Sequence, residues 1–134
     1  MLRLVIDTNV LISGFFGGNP KRVIDLWKTG KAVLCLSDEI LEEYLRVIAR
    51  LPIAPETKSG LLAIFQEKRN IEWFSPASHY AVIREDPEDN KFIDCAVEAN
   101  ADYILSGDAH LLKVKGYQTI AIHSPKDFLQ IIKS

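Results

Sequence analysis

The chain has 134 residues, enough for one domain with a sizeable core. It is 48% hydrophobic and 25% charged with a formal net charge of -2. That excludes both a disordered chain and a protein that binds polyanions through a global basic field. No stretch reaches the ~20 apolar residues of a membrane span, and no basic segment leads into an early apolar one, so the expectation is a cytoplasmic protein.

Leu2–Ile6 is an unbroken apolar run, the pattern of a strand covered on both faces. Residues 8–16 follow as a short helix ended by Gly17-Gly18-Asn19-Pro20. Pro20 opens a second helix that puts Val23, Ile24 and Trp27 on one side and stops at Gly30. Ala32–Leu36 is a second buried strand, and Ser37 is a good N-cap for a helix over Asp38–Arg50. Residues 55–69 form another helix, weakened by Gly60, and residues 71–74 a strand.

Residues 75–88 read as irregular, with local pairing open to residues 80–83. A helix over 90–100, a strand at Tyr103–Leu105, a short helix at 109–112, a strand at 119–122 and a helix opened by Ser124-Pro125 complete the chain. Such alternation predicts an α/β fold: a central, mainly parallel sheet of about five strands between two helical layers. No repeat or linker divides it, so residues 1–134 read as a single domain. Cys35 and Cys95 stand alone in apolar segments, as buried reduced thiols do. His79, His110 and His123 are scattered and suggest no metal cluster.

Four acids are the candidates for chemistry. Asp7 ends the first strand, Glu43 lies inside the third helix, Asp89 precedes the fifth, and Asp108 follows the strand at Tyr103–Leu105. Ligands of open α/β sheets bind beyond the carboxyl ends of the strands. The competing role for Asp7, Asp89 and Asp108 is helix capping, and for Glu43 a solvated surface. At about 100° per residue, Glu43 falls at the margin of the apolar arc of its helix and Glu42 nearly opposite it. The same projection aims Asp89 towards the sheet and Asp94 away from it. Acids aimed together at one place call for a shared cation. Without one, at least one of them should hold its proton more tightly than a free carboxyl.

Val5-Ile6-Asp7-Thr8-Asn9-Val10, Ser37 leading to Glu43-Tyr44, Asp86-Pro87-Glu88-Asp89-Asn90-Lys91-Phe92, and Ile104-Leu105-Ser106-Gly107-Asp108 carry a resemblance. In this order they resemble PIN-domain ribonucleases, most closely the small toxin–antitoxin type that includes the VapC-type toxins. Gly107 stands where many of those toxins have Arg. The resemblance implies a PIN-like three-layer fold. It also implies that Asp7, Glu43, Asp89 and Asp108 bind Mg²⁺ or Mn²⁺ and are catalytic, with Asn9 and Ser106 in support. Asp86 and Asp94 are open as outer acids.

The function implied is metal-dependent hydrolysis of RNA phosphodiester bonds, leaving a 5′-phosphate and a 3′-hydroxyl. The partners implied are an RNA substrate, an antitoxin and a second copy of the chain. Lys21, Arg22, Lys91 and Lys113 are open as phosphate contacts. Two alternatives stand beside this: a catalytically silent PIN fold that binds RNA or protein, and an aspartyl-phosphate domain. The latter would want a Lys after the last strand, where His123 stands, or a second Asp where Asn9 stands.

Overall fold

The computed structural model describes residues 1–76 and 87–133. Among these, six strands form one sheet: β1 (Leu2–Ile6), β2 (Ala32–Leu36), β3 (Ile71–Trp73), β4 (Tyr103–Leu105), β5 (Gly116–Tyr117) and β6 (Ile120–His123). Their spatial order is β3-β2-β1-β4-β6-β5, and every pairing is parallel except β5 with β6. The mainly parallel sheet is as expected. The added strand β5 is two residues long and too short for a hydrophobic period to reveal.

The helices are α1 (Thr8–Ser13), α2 (Gly18–Lys28), α3 (Asp38–Arg50), α4 (Pro55–Glu67), α5 (Asn90–Ala99), α6 (Ala109–Val114) and α7 (Pro125–Lys133), with a 3₁₀ turn at Pro87–Asp89 before α5. Each sits close to its predicted place. The helix expected to reach residue 16 ends at Ser13, with Gly14 as C-cap. The second helix starts two residues before Pro20, which occupies the first turn, where a missing N–H costs nothing. The pairing considered for residues 80–83 lies outside the described residues, as does Asp86.

β2 is buried at every position and β1 at Leu4, Val5 and Ile6, so both faces of the sheet centre are covered. The path β1→β2→β3 runs one way across the sheet and β3→β4→β6 the other. Because such crossovers are right-handed, the two runs place their helices on opposite faces. α5 packs against β1, β2 and β4. On the first run, the rings of Trp27 (α2), Tyr44 (α3) and Phe65 (α4) join three helices, with centroids 5.8 Å apart in both contacts. Trp27 is a core residue, as its apolar face suggested, while Phe16 is exposed. Both cysteines are free and buried, and burial pushes their thiols up to about 11 for Cys35 and about 12 for Cys95. No helix among the described residues is long and apolar enough to cross a membrane.

Candidate metal centre

β1 is flanked by β2 on one side and β4 on the other, so the strand order reverses there. Beyond the carboxyl ends of β1 and β4 the chain leaves the sheet in opposite directions, opening the crevice in which α/β folds take ligands. A depression of about 350 Å³ lies there, lined by Asp7, Thr8, Asn9, Glu43, Arg46, Val47, Glu88, Asp89, Phe92 and Asp108. The four acids singled out in the sequence therefore share one wall system.

Hydrogen bonds fix Asp7 and Asp108 to each other. The Asp7 N–H donates to the Leu105 carbonyl at 2.9 Å, which brings the end of β1 alongside the end of β4. One Asp7 oxygen accepts from the Val10 N–H at 2.9 Å, capping α1, and the other accepts from the Ser106 hydroxyl. Ser106 is fully buried, and its hydroxyl oxygen also accepts from the Asp108 N–H at 2.9 Å. One hydroxyl thus bridges the Asp7 carboxylate and the Asp108 backbone. Asn9 is exposed at the rim. Asp108 in turn caps α6, its Oδ1 accepting from the His110 N–H at 2.7 Å. Capping and convergence are not rivals at Asp7 and Asp108, because one carboxylate does both.

Burial pushes the Asp7 carboxyl above the usual range, and the charge of Asp108 adds to the rise. The hydrogen bonds from Ser106 and the Val10 N–H pull the other way. The rise itself was expected, but its main cause is burial of Asp7, and the repulsion between converging carboxylates is the smaller contribution.

Glu43 is positioned by its neighbour. The buried Tyr44 hydroxyl donates to the Ile6 carbonyl, tying α3 to the end of β1. Burial, then the Asp7 charge, push that hydroxyl well above its ordinary range, so it stays a donor. Glu43 is half-buried and Glu42 exposed, as the projection required. The Thr8 hydroxyl donates to Glu43 Oε2, while Lys91 Nζ lies 2.5 Å from Oε1. Lys91 is 8% exposed and also lies 3.4 Å from Glu88. It is an internal counter-ion, not the surface phosphate contact considered from sequence. Lys21 pairs with Asp25 at 2.9 Å on the surface. Arg46, one turn after Glu43, is exposed at the rim and was overlooked, because an Arg on a helix face has no sequence signature of its own.

Two expectations fail here. Asp94 was placed away from the packed side, yet it is 5% exposed. It lines a separate cavity of about 210 Å³ with Ser37, Asp38, Phe74 and Lys91. Residues 91–96 are all buried, so α5 has no solvent face along that stretch for Asp94 to occupy. His110, read as scattered, joins Asp89 and Asp108: one donor atom from each lies within 4.8 Å of the other two. Two carboxylates and an imidazole that close are a donor set a divalent cation fits.

The PIN domain family profile matches residues 3–110. The chain belongs to the PIN-domain family. Solved relatives agree on the fold of this PIN domain. It is similar, at 15% identity and a TM-score of 0.61, to a chain of VapBC2 from Rickettsia felis, a complex bound to a DNA fragment from its promoter; 92% of this chain and 98% of that one align. It is also similar to a chain of FitAcB from Neisseria gonorrhoeae, at 19% identity and a TM-score of 0.58, over the same shares. No curated protein sequence matches this PIN domain. PIN domains are generally nucleases, so a hydrolase is the coarse reading of the site.

Proposed function

We propose that this PIN domain is a Mg²⁺- or Mn²⁺-dependent endoribonuclease and the toxin of a toxin–antitoxin pair. The observation that carries the reading is one depression, at the reversal point of the sheet, that gathers Asp7, Glu43, Asp89 and Asp108. Family membership and a fold shared with a chain of VapBC2 support it.

Asp7, Asp89 and Asp108 would hold the ion, with His110 within reach and Glu43 direct or through water. The bound ion supplies Lewis acidity towards a phosphodiester and lowers the pKa of water. The chain supplies the rest. Ser106 holds Asp7 and the Asp108 backbone in one geometry, so neither acid must reorganise. Lys91 and Thr8 hold the Glu43 carboxylate in one orientation. Arg46 at the rim offers a bidentate contact to backbone phosphate. Single-stranded or loop RNA suits an open depression better than a duplex does. A small antitoxin covering the depression and a second copy of the chain are the protein partners this reading carries, and the cytoplasm is its compartment.

The test is cleavage of mixed RNAs in Mn²⁺ by the wild type and by Asp7→Asn, Asp89→Asn and Asp108→Asn. Cleavage by the wild type, with each variant reduced at least about 100-fold, is expected of residues acting as a unit. RNA binding without cleavage in any divalent ion would instead support the silent PIN fold.

A further inference from the structure

The two sides of the depression differ in their chemistry. On one side Glu43 faces an ammonium 2.5 Å away and accepts from the Thr8 hydroxyl. On the other, Asp89, Asp108 and His110 bring donor atoms within 4.8 Å of one another, and His110 Nδ1 lies 3.9 Å from Asp108 Oδ1. His110 is on the first turn of α6, two residues after the residue that caps it, and its N–H donates to Asp108 Oδ1, so the cap that fixes Asp108 also sets the position of His110. Its side chain is partly exposed. A second cation beside Glu43 would meet the charge of Lys91 at close range, and like charges that close repel strongly in a half-buried setting. The Asp108 side instead brings two carboxylates and an imidazole together.

We propose that the imidazole of His110 joins Asp89 and Asp108 as a direct donor to the divalent ion of this chain, with Glu43 kept out of direct coordination by Lys91, so that the site favours a first-row transition ion over Mg²⁺. The proposal rests on the metal-dependent reading above and names its donors. Imidazole nitrogen adds affinity for transition ions and little for Mg²⁺, which prefers oxygen and water. The acids alone would leave the two ions closer in affinity.

The experiment loads the full chain with Mn²⁺ and records electron spin-echo modulation, which reports directly bound nitrogen without any turnover. Calorimetry with Mn²⁺ and with Mg²⁺ accompanies it. The wild type should show ¹⁴N coupling, absent in His110→Ala and His110→Gln. Mn²⁺ affinity should fall at least about tenfold in His110→Ala while Mg²⁺ affinity changes far less. Glu43→Gln should leave the ¹⁴N coupling in place. Mn²⁺ bound to the wild type without ¹⁴N coupling, or coupling that survives in His110→Ala, overturns the assignment of His110 and leaves the nuclease reading standing. A wild type that binds no Mn²⁺ overturns both.

Discussion

Lys91 Nζ and Glu43 Oε1 lie 2.5 Å apart, with the lysine side chain 7% and the glutamate 21% exposed. Removing one partner of a fully buried pair costs about 3–5 kcal/mol, because the other is left charged and alone. Glu43 keeps some water, so Lys91→Met should cost about 2 kcal/mol in urea unfolding. Adding Glu43→Gln should recover more than half of that loss. If the two losses simply add, the pair is not coupled. Asp7 gives a prediction with a sign in pH. Its folded pKa lies above its unfolded value, mainly through burial. The folded state therefore binds the proton more tightly, and ionised Asp7 costs stability. That cost is absent below the unfolded pKa near ~3.9, grows as pH rises through the folded pKa and is complete above it. Asn keeps an oxygen for the Val10 N–H and carries no charge. Asp7→Asn in chelator should melt higher than the wild type at pH 7, with the gap closing towards pH 4. A variant that melts lower at every pH would show that capping dominates. The acids were legible singly, by their places at strand ends and helix margins. Lys91 and His110 were not, because what defines them is the residue they face across the fold.

At the scale of elements, α3 was readable end to end, since a Ser N-cap and a clean apolar arc agree. The projection failed on α5 because it assumes a helix with one buried side, and residues 91–96 are buried at every position. The glycine at the end of α1 has a packing cause. Gly14 has helical angles, φ -64° and ψ -18°, so local propensity would favour Ala there. A Cβ at Gly14, however, would meet Ile24 Cγ1 at 2.2 Å and the Pro20 carbonyl at 3.0 Å. Ile24 is buried and cannot swing aside. Gly14→Ala should therefore destabilise by about 1–3 kcal/mol, the usual cost of overpacking, and not stabilise. Chemical denaturation reads the sign directly; a gain would mean that α1 and α2 separate easily. The contact matters to the site because α1 begins on the Asp7 cap.

For the whole molecule, sheet topology turns separated residues into one site. Alternating elements in the sequence imply a parallel sheet, but they do not give the strand order β3-β2-β1-β4-β6-β5 that sets β1 beside β4. That order is what makes Asp7 and Asp108 neighbours, joined through Ser106. Folding must then hold like charges together, and the charge of Asp108 already raises the Asp7 carboxyl. An ion that binds only the folded state relieves this and stabilises by mass action, about 2.7 kcal/mol at 100 times its Kd. For a chain of this size that is a rise of roughly 10 °C in Tm. Asp108→Asn should lose most of the Mn²⁺-induced rise. In chelator the same variant should melt at or above the wild type, since it removes a repulsion while Asn still offers an oxygen to the His110 N–H. The competing account makes Asp108 only the cap of α6, in which case its charge is favourable at a helix N-terminus. The variant would then melt clearly lower in chelator, and Mn²⁺ would shift wild type and variant equally. Scanning calorimetry of both proteins, in chelator and in saturating Mn²⁺, separates the two accounts without requiring any substrate.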